Sequence, residues 1–313
     1  MSRSLQQKGI VVLYLALVML SACGNPTMVR KGQAELPAFL KVGHRGARGV
    51  MPENTVPSMR KALDMGANVL EVDIQVSRDK QVVVAHDPHI NHHITLSPDG
   101  EEISEEQAKQ YVLYQMPYAE IRKFDVGSKY HTGFPEQKKL QTYMPLLGEL
   151  IDSVEQYTAA KGLAPVIYNI EVKADPSRDG VYQPEPEEYI RLVLDVVKQR
   201  EIEGRFYIQS FDVRQIQQVR QQSPGITTAL LTGDGKVTFS KNIEKVGFIP
   251  QIYSPHYSLV TEELVKECHT QGMRLVPWTV NSLEEMKKLK AMGVDGIITD
   301  YPHLLNQLEA TEL

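Results

Sequence analysis

Short apolar runs alternate with longer amphipathic stretches from about residue 40 to the C-terminus. The runs have the length of β-strands, and the stretches between them repeat apolar positions at helical spacing and often end at glycine. This alternation predicts parallel strands joined by crossover helices, with a sheet that is covered on its outer face. The predicted strands are residues 39–44, 68–76, 81–86, 166–172, 206–211, 227–232, 251–256, 274–280 and 296–300.

The second and third predicted strands are too close in sequence to be parallel neighbours. Residues 77–80 separate them, whereas a parallel crossover needs about a dozen residues or more. We therefore predict a hairpin, with residues 69–76 in the barrel, residues 82–86 returning toward its mouth, and Asp73 roughly opposite His86. The eight strands that remain predict an α/β fold of the (β/α)8 TIM-barrel type, and a doubly wound open sheet is the alternative.

Residues 87 to about 142 fit no strand-helix unit, because they are polar and show little apolar periodicity. Long insertions between barrel elements usually lie over the active-site face. We predict a small inserted subdomain there, within a barrel domain that spans residues 38–313.

The N-terminus predicts an exported lipoprotein. Two basic residues precede the apolar run 10–20, which is too short to span a bilayer comfortably and stops at small residues. The stretch Leu-Ser-Ala-Cys that ends at Cys23 resembles the lipobox of bacterial lipoproteins, which implies a signal peptide over 1–22, an acylated Cys23 and a tether over 23–37. A plain cleaved signal with an incidental cysteine is the alternative. We expect anchoring to a bacterial membrane, facing the periplasm or the cell exterior.

Composition narrows the range of partners. The 313 residues are 42% hydrophobic and 23% charged, which is typical of a globular protein. The formal net charge of −5, without a cluster of lysine and arginine, argues against a nucleic-acid partner. Cys268, the second of two cysteines, lies on a predicted helix and is expected in the core. The sequence does not indicate an oligomeric state.

Polar side chains gather at the carboxyl ends of the predicted strands, where TIM barrels carry their active sites. Residues two apart on a strand face the same way, so Glu71 and Asp73 point together, as do Glu171 and Lys173. Carboxylates that meet in a partly buried mouth favour a bound cation, and an all-oxygen set suits Mg²⁺ or Ca²⁺ rather than Zn²⁺. Salt bridges from these carboxylates to Lys173 and Arg45 are the alternative.

Two histidines end neighbouring predicted strands. His44 and His86, beside a metal and an arginine, suggest proton transfers around an anionic substrate. The tract His89, His92 and His93 has a composition that could bind a transition metal, which leaves a non-catalytic, lipid-anchored metal- or solute-binding protein as an alternative.

Six segments together resemble the glycerophosphodiester phosphodiesterases, in order and spacing, from about Val42 to Pro302. They are HRGARGVMPENT, LEVDIQVSRDKQVVVAHDP, NIEVK, IQSF, PWTVN and DGIITDYP. The resemblance implies metal-dependent hydrolysis of a glycerophosphodiester to sn-glycerol 3-phosphate and an alcohol, with water or the glycerol 2-hydroxyl as the attacking group. A phosphodiesterase that acts on lysophospholipids or phosphoinositides is the nearer alternative. After HDP the chain reads HINHHIT, where the family usually has an arginine and a threonine, and this leaves the role of the insertion open.

The resemblance also implies roles for individual residues. Those roles are acid/base catalysis for His44 and His86, metal binding for Glu71, Asp73 and Glu171, and substrate binding for Arg45, Glu53, Lys173, Gln209 and Trp278. Glu53 could instead stabilise the next helix N-terminus, and Trp278 could pack in the core. Arg48 is interpreted as a loop charge outside the site.

Overall fold

The computed structural model describes residues 33–308 of the chain. These residues contain nine strands and nine α-helices. The strands are β1 (Leu40–Gly43), β2 (Val69–Val76), β3 (Val82–Val84), β4 (Ile167–Val172), β5 (Phe206–Ser210), β6 (Thr227–Thr232), β7 (Ile252–Pro255), β8 (Arg274–Leu275) and β9 (Gly296–Thr299). The helices are α1 (Val56–Asp64), α2 (Glu105–Gln110), α3 (Tyr118–Ile121), α4 (Leu147–Lys161), α5 (Pro186–Gln199), α6 (Val213–Gln222), α7 (Phe239–Val246), α8 (Glu262–Thr270) and α9 (Leu283–Ala291).

Eight of the strands pair in parallel, in the order β8-β7-β6-β5-β4-β2-β1-β9. The two ends of this sheet meet, because the amides of Asp295 and Ile298 donate to the carbonyls of Leu275 and Pro277, both at 2.9 Å. The result is a nearly closed barrel with helices between its strands. The predicted (β/α)8 barrel is confirmed, and the open sheet is wrong.

The ninth strand, β3, forms the predicted hairpin with β2. Ile74 lies opposite Val84, and the Ala85 amide donates to the Asp73 carbonyl at 3.0 Å. Asp73 therefore faces Ala85 rather than His86, one position from the prediction. The cause is the three-residue loop between Ser77 and Gln81, in which Lys80 has a left-handed φ of 61°.

The barrel interior changes from apolar to polar along the strands. Val69 on β2 and Ile167 on β4 belong to an apolar cluster that fills the lower barrel. Because side chains on a strand repeat their direction every second residue, Glu71 and Asp73 follow Val69 on the inner face, and Glu171 follows Ile167. The acidic side chains thus lie at the carboxyl ends of the strands, above an apolar floor.

Helices cover the outside of the barrel. On α4, Leu150 and Ile151 are fully buried in a cluster that joins α1, α4 and α5 to β2 and β4. Cys268 on α8 is also fully buried, as predicted. Residues 33–37, within the predicted tether, lie against the barrel, where the Ala34 amide donates to Thr227 Oγ1. No helix of residues 33–308 combines the length and the apolar character needed to cross a membrane.

The insertion packs a core of its own above β3. Ile90, Leu113, Ile121 and Phe124 are buried together with Val83 of that strand. Its helices α2 and α3 have six and four residues, too few to establish a helical period, which is why the sequence shows little periodicity there. The predicted domain boundaries stay a prediction, and Cys23 and residues 1–22 lie outside the described part of the chain.

Leu150→Ala is expected to lower the free energy of unfolding by about 2–5 kcal/mol, because it leaves a cavity in the largest cluster. Leu163→Ala is the matched control, since Leu163 is 40% exposed and its loss should cost under about 1 kcal/mol. Urea denaturation of both variants measures the difference. Equal losses would contradict this account of the core.

Candidate active site

Three carboxylates meet at the mouth of the barrel. Glu71 and Asp73 lie on β2 and Glu171 on β4, with Asp73 and Glu171 paired in register. One oxygen from each side chain lies within 4.8 Å of the others, and all three residues are buried. Glu71 Oε1 and Asp73 Oδ1 have no hydrogen-bond partner among residues 33–308. Buried carboxylate oxygens without donors fit a hard divalent cation, so this cluster could hold one.

The environment of the acidic cluster shifts the pKa values of Glu71 and Asp73 in opposite directions. Burial, together with the charges of Asp73 and Glu171, raises the pKa of Glu71 well above its ordinary value. Burial also opposes ionisation of Asp73, but Arg45, His86 and Lys173 outweigh it and hold the pKa of Asp73 far below its usual range. Without a cation, Glu71 is therefore the carboxylate that takes up a proton.

The turn after β1 aims Arg45 into these carboxylates. Arg45 has a φ of 50°, and Gly46 follows with a φ of 84° where a Cβ would lie 2.5 Å from Ser58 Oγ. Ser58 Oγ donates to the Arg45 carbonyl at 2.9 Å and fixes the turn. The guanidinium pairs with Glu53 Oε1 through Nη1 at 2.6 Å and with Asp73 Oδ2 through Nε at 3.0 Å. Arg45 and the acidic cluster are therefore one ionic network.

Lys173 joins the same network from the end of β4. Its Nζ lies 2.6 Å from Glu171 Oε1 and 3.6 Å from Asp73 Oδ1. Burial opposes the charge of Lys173, but the two carboxylates outweigh it and raise the pKa of the ammonium. Salt bridges, the predicted alternative to a metal, thus hold Asp73 and Glu171. They do not reach Glu71, whose Oε2 accepts only the Arg45 amide, at 2.7 Å.

His44 is oriented by a carboxylate, Asp300, that the sequence analysis does not assign to the site. Its Nδ1 lies 2.7 Å from Asp300 Oδ1, and Asn281 Nδ2 donates to Asp300 Oδ2 at 2.7 Å. Burial opposes ionisation of Asp300, but His44 and Arg48 outweigh it and lower the pKa of the carboxyl. With Nδ1 engaged, Nε2 is the ring nitrogen left for a ligand.

His86, which follows β3, is oriented in the same way as His44, through a contact between its Nδ1 and an aspartate. Its Nδ1 lies 3.0 Å from Asp87 Oδ1, and Asn91 Nδ2 donates to Asp87 Oδ2 at 2.7 Å. Burial opposes ionisation of Asp87, but its contacts with His86 and Asn91 lower the pKa of the carboxyl. Asp87 belongs to the HDP motif and Asp300 to the TDYP motif. The spacing of these motifs does not show which histidine each aspartate contacts.

Both histidines open into one cavity of about 310 Å³. Its wall contains the side chains His44, Arg45, Arg48, His86, Glu171, Lys173, Gln209, Phe211, Leu231, Trp278, Thr279 and Ile298. Gln209 Nε2 donates to Glu171 Oε2 at 3.3 Å, and the Trp278 ring lies edge-on to Phe211, with centroids 5.4 Å apart. Of the predicted site residues within the described chain, Glu53, Glu71 and Asp73 lie behind this wall, and the others line it.

Arg48 lies in the wall, so its interpretation as a loop charge outside the site is wrong. Its Nε pairs with Glu53 Oε2 at 2.5 Å, and its guanidinium carbon lies 4.7 Å from the centre of the Phe134 ring. Phe134 belongs to the insertion. The sequence could not reveal this contact, because the two residues are far apart along the chain.

Comparison with known proteins decides the family. The model described as "Glycerophosphoryl diester phosphodiesterase family" matches residues 44–304 of this chain. The chain belongs to this family. The resemblance inferred from the motifs is thereby confirmed, and the protein is a phosphodiesterase, which leaves the non-catalytic alternative without support.

Relatives of this phosphodiesterase match it over most of their length. A glycerophosphodiester phosphodiesterase of Caldanaerobacter subterraneus is 30% identical over 271 residues, which are 86% of this chain and 97% of that protein. A crystal structure of a candidate glycerophosphoryl diester phosphodiesterase from Silicibacter pomeroyi is 32% identical, with a TM-score of 0.78 over 91% of this chain and 97% of its own. A phosphodiesterase of Oleispira antarctica, solved with the product sn-glycerol-3-phosphate, shares the fold, with 24% identity and a TM-score of 0.70 over 88% of this chain and 97% of its own.

The histidine tract of this phosphodiesterase is not gathered into a ligand set. His89 Nδ1 contacts the Ile90 carbonyl at 2.9 Å, and the rings of His92 and His93 lie 3.9 Å apart. Within residues 33–308, the acidic cluster is the one group of three or more histidine, cysteine or carboxylate side chains at metal-ligating distances. The alternative, a transition-metal site at this tract, is therefore not formed by the described residues.

Glu71→Gln is expected to stabilise the metal-free phosphodiesterase above about pH 5, by an amount that grows as the pH rises. Folding raises the pKa of Glu71, so the folded wild type holds this proton more tightly than the unfolded chain and loses stability as the pH increases through the raised pKa. Glutamine carries no such charge. In Mg²⁺ or Ca²⁺ the order should reverse, since the wild type binds the cation more tightly.

Melting temperatures in EDTA and in each metal, at several pH values, measure this effect. Glu244→Gln on the exposed face of α7 controls for the loss of a carboxylate. A wild type that is more stable than Glu71→Gln in EDTA at about pH 8 would contradict the assignment of the raised pKa.

Proposed function

We propose that this protein hydrolyses glycerophosphodiesters to sn-glycerol 3-phosphate and an alcohol, with a divalent cation and two histidines. One observation carries the proposal. His44 and His86, each paired through Nδ1 with an aspartate, line the same cavity as Glu171, a member of the acidic cluster. The family supports the phosphodiesterase activity, and the product bound to the Oleispira antarctica neighbour supports the product class.

Glu71, Asp73 and Glu171 would hold the cation. A bound Mg²⁺ or Ca²⁺ supplies Lewis-acid stabilisation of the charge that develops on the phosphate. An all-oxygen donor set favours these ions over Zn²⁺. Glu71 Oε1 and Asp73 Oδ1, which are buried and accept no hydrogen bond from the described residues, support a cation at this cluster.

The histidines move the two protons that hydrolysis of a diester requires. One Nε2 takes the proton of the attacking hydroxyl, and the other donates a proton to the oxygen of the leaving alcohol. The carboxylate on each Nδ1 holds the ring in one orientation and leaves Nε2 for the substrate. When water attacks phosphorus, this one exchange of protons completes the hydrolysis. When the glycerol 2-hydroxyl attacks, the first exchange releases the alcohol and leaves a cyclic phosphate, and a second exchange with the two histidines in reversed roles lets water open the ring to sn-glycerol 3-phosphate.

The remaining wall residues bind the substrate. Lys173 and Arg45 offset the charge of the phosphate, and both line the cavity. Trp278 and Phe211 form an apolar wall for the carbon atoms of the glycerol, with the Trp278 N–H already donated to the Ser254 carbonyl at 3.0 Å. Gln209 braces Glu171 and presents its amide to the same space.

His44→Ala and His86→Ala are each expected to reduce kcat for glycerophosphocholine by about 10²- to 10⁴-fold, because each removes a proton-transfer group. Both variants should keep their affinity for the cation, whereas Glu71→Ala should weaken it. The measurements are release of sn-glycerol 3-phosphate in Mg²⁺, Ca²⁺ or EDTA, and calorimetric titration with each metal.

His93→Ala is the control for these variants, since His93 is an exposed histidine of the insertion. Its turnover should equal that of the wild type. Normal hydrolysis by both His44→Ala and His86→Ala would overturn the proposed mechanism.

We also propose that the enzyme is exported and anchored to a bacterial membrane through an acylated Cys23. The basic start, the apolar run 10–20 and the lipobox-like ending support this proposal. Cys23→Ser in the full chain should abolish labelling by radioactive palmitate in a bacterial host and release the protein from the membrane fraction. Cys268→Ser controls for the loss of a cysteine and should keep both properties, and a Cys23→Ser protein that stays labelled would refute the anchor.

A further inference from the structure

Arg48 has guanidinium donors that make no hydrogen bond within residues 33–308. Its Nε pairs with Glu53, and one face of its guanidinium lies over Phe134. No hydrogen bond within residues 33–308 involves either of its Nη nitrogens, and the shortest contact of its ion pair with Glu53 is made by Nε. The side chain is 23% exposed and lines the cavity beside His44 and His86. A largely enclosed guanidinium on a cavity, with two amino groups that make no hydrogen bond to the described residues, is suited to bind an anion there.

The other two cations of the cavity are differently placed. Arg45 pairs with Asp73, and Lys173 pairs with Glu171 and approaches Asp73. Both are therefore tied to carboxylates of the candidate metal cluster, whereas Arg48 contacts none of the three. Its nearest carboxylate partner is Glu53, which lies outside that cluster. Arg48 is thus the cation whose donors are least committed to the protein.

The position of Arg48 also brings its charge close to His44. Its charge contributes to the lowered pKa of Asp300, the aspartate that contacts His44 Nδ1. An anion held by the Nη groups would accordingly lie near the histidine that we assign to proton transfer.

The insertion holds Arg48 in place. Gln137 Nε2 donates to the Arg48 carbonyl at 2.7 Å, and the Lys138 amide donates to the Val50 carbonyl at 2.9 Å. Phe134, which stacks on the guanidinium, lies edge-on to Tyr301, with ring centroids 6.4 Å apart. The backbone and the side chain of Arg48 are therefore both fixed by one segment of the insertion.

We propose that Arg48 is a substrate-binding residue that contacts the phosphate of the glycerophosphodiester, and that Phe134 positions it. This inference rests on the proposed function, since it concerns the substrate of the same cavity. A guanidinium offers two parallel N–H donors to two phosphate oxygens, and Arg48 lines the cavity with two Nη groups that make no hydrogen bond to the described residues. Through this contact the insertion becomes part of the substrate site.

The test begins with binding of sn-glycerol 3-phosphate by calorimetry, because this probe has the phosphate but no headgroup. Arg48→Gln should raise its Kd by about 10- to 100-fold, the loss expected for a charge-assisted pair of hydrogen bonds. Arg48→Lys should lose less, since it keeps the charge without the fork. The affinity for Mg²⁺ or Ca²⁺ should stay unchanged in both variants, because Arg48 contacts no carboxylate of the cluster.

Arg122→Gln is the matched control. Arg122 also pairs with a carboxylate, Glu149, and lies over an aromatic ring, Tyr143, at 4.3 Å, but it does not line the cavity. Its loss should change neither Kd nor KM.

Phe134 is tested as a positioning residue. Phe134→Ala should raise KM for glycerophosphocholine and the Kd of sn-glycerol 3-phosphate in parallel, with little change in kcat, and Phe134→Tyr should restore both. A purely structural role would lower the melting temperature without this split between KM and kcat.

Three results would overturn the proposal. The first is an unchanged Kd of sn-glycerol 3-phosphate in Arg48→Gln. The second is a lower kcat of Arg48→Gln with an unchanged KM, which would mean that Arg48 acts through Asp300. The third is a loss of affinity in Arg48→Gln that is confined to substrates with an anionic headgroup. Product binding is measured without turnover. A wild type that binds sn-glycerol 3-phosphate but hydrolyses no diester would therefore refute the proposed function and still decide the role of Arg48.

Discussion

Arg45 contacts three buried carboxylates at once, and the mouth of the barrel depends on that contact. Its amide donates to Glu71, its Nη1 pairs with Glu53, and its Nε pairs with Asp73. A buried carboxylate without a partner costs several kcal/mol, so the contacts of Arg45 offset much of the cost of placing these carboxylates together. Arg45 makes them in a left-handed conformation, followed by Gly46, whose φ is also positive. A left-handed φ is unfavourable for a residue other than glycine, and strain of this kind is typical of functional sites.

The strands and the acidic cluster could be predicted because they follow local rules. Apolar runs of strand length and a two-residue repeat place Glu71, Asp73 and Glu171 on one inner face, whatever the rest of the chain does. The hairpin follows from the same rules, and its register differs from the prediction by one position, with Asp73 opposite Ala85 instead of roughly opposite His86. Short-range patterns thus determine both the strands and the place of the acidic cluster.

Contacts between distant segments could not be predicted. Asp300 approaches His44 because β9 lies beside β1, a consequence of barrel closure rather than of sequence spacing. Phe134 reaches Arg48 because the insertion folds over the loop that follows β1. In both cases the residue types were visible, but the identity of the partner was a property of the folded chain.

The charged side chains that contact one another around Arg45 form a group with a small net charge, and a bound cation would change the sign of that charge. Its members are the carboxylates of Glu53, Glu71, Asp73 and Glu171 and the cations Arg45, Arg48 and Lys173, so that four negative and three positive charges sum to −1. Protonation of Glu71, which its raised pKa favours, brings the sum to zero. A divalent cation in place of that proton would bring the sum of these seven charges to +1. The buried carboxylate of Glu71, which forms no salt bridge with the described residues, would therefore let a bound cation change the sign of the charge around Arg45 and favour binding of an anionic phosphodiester relative to the metal-free state.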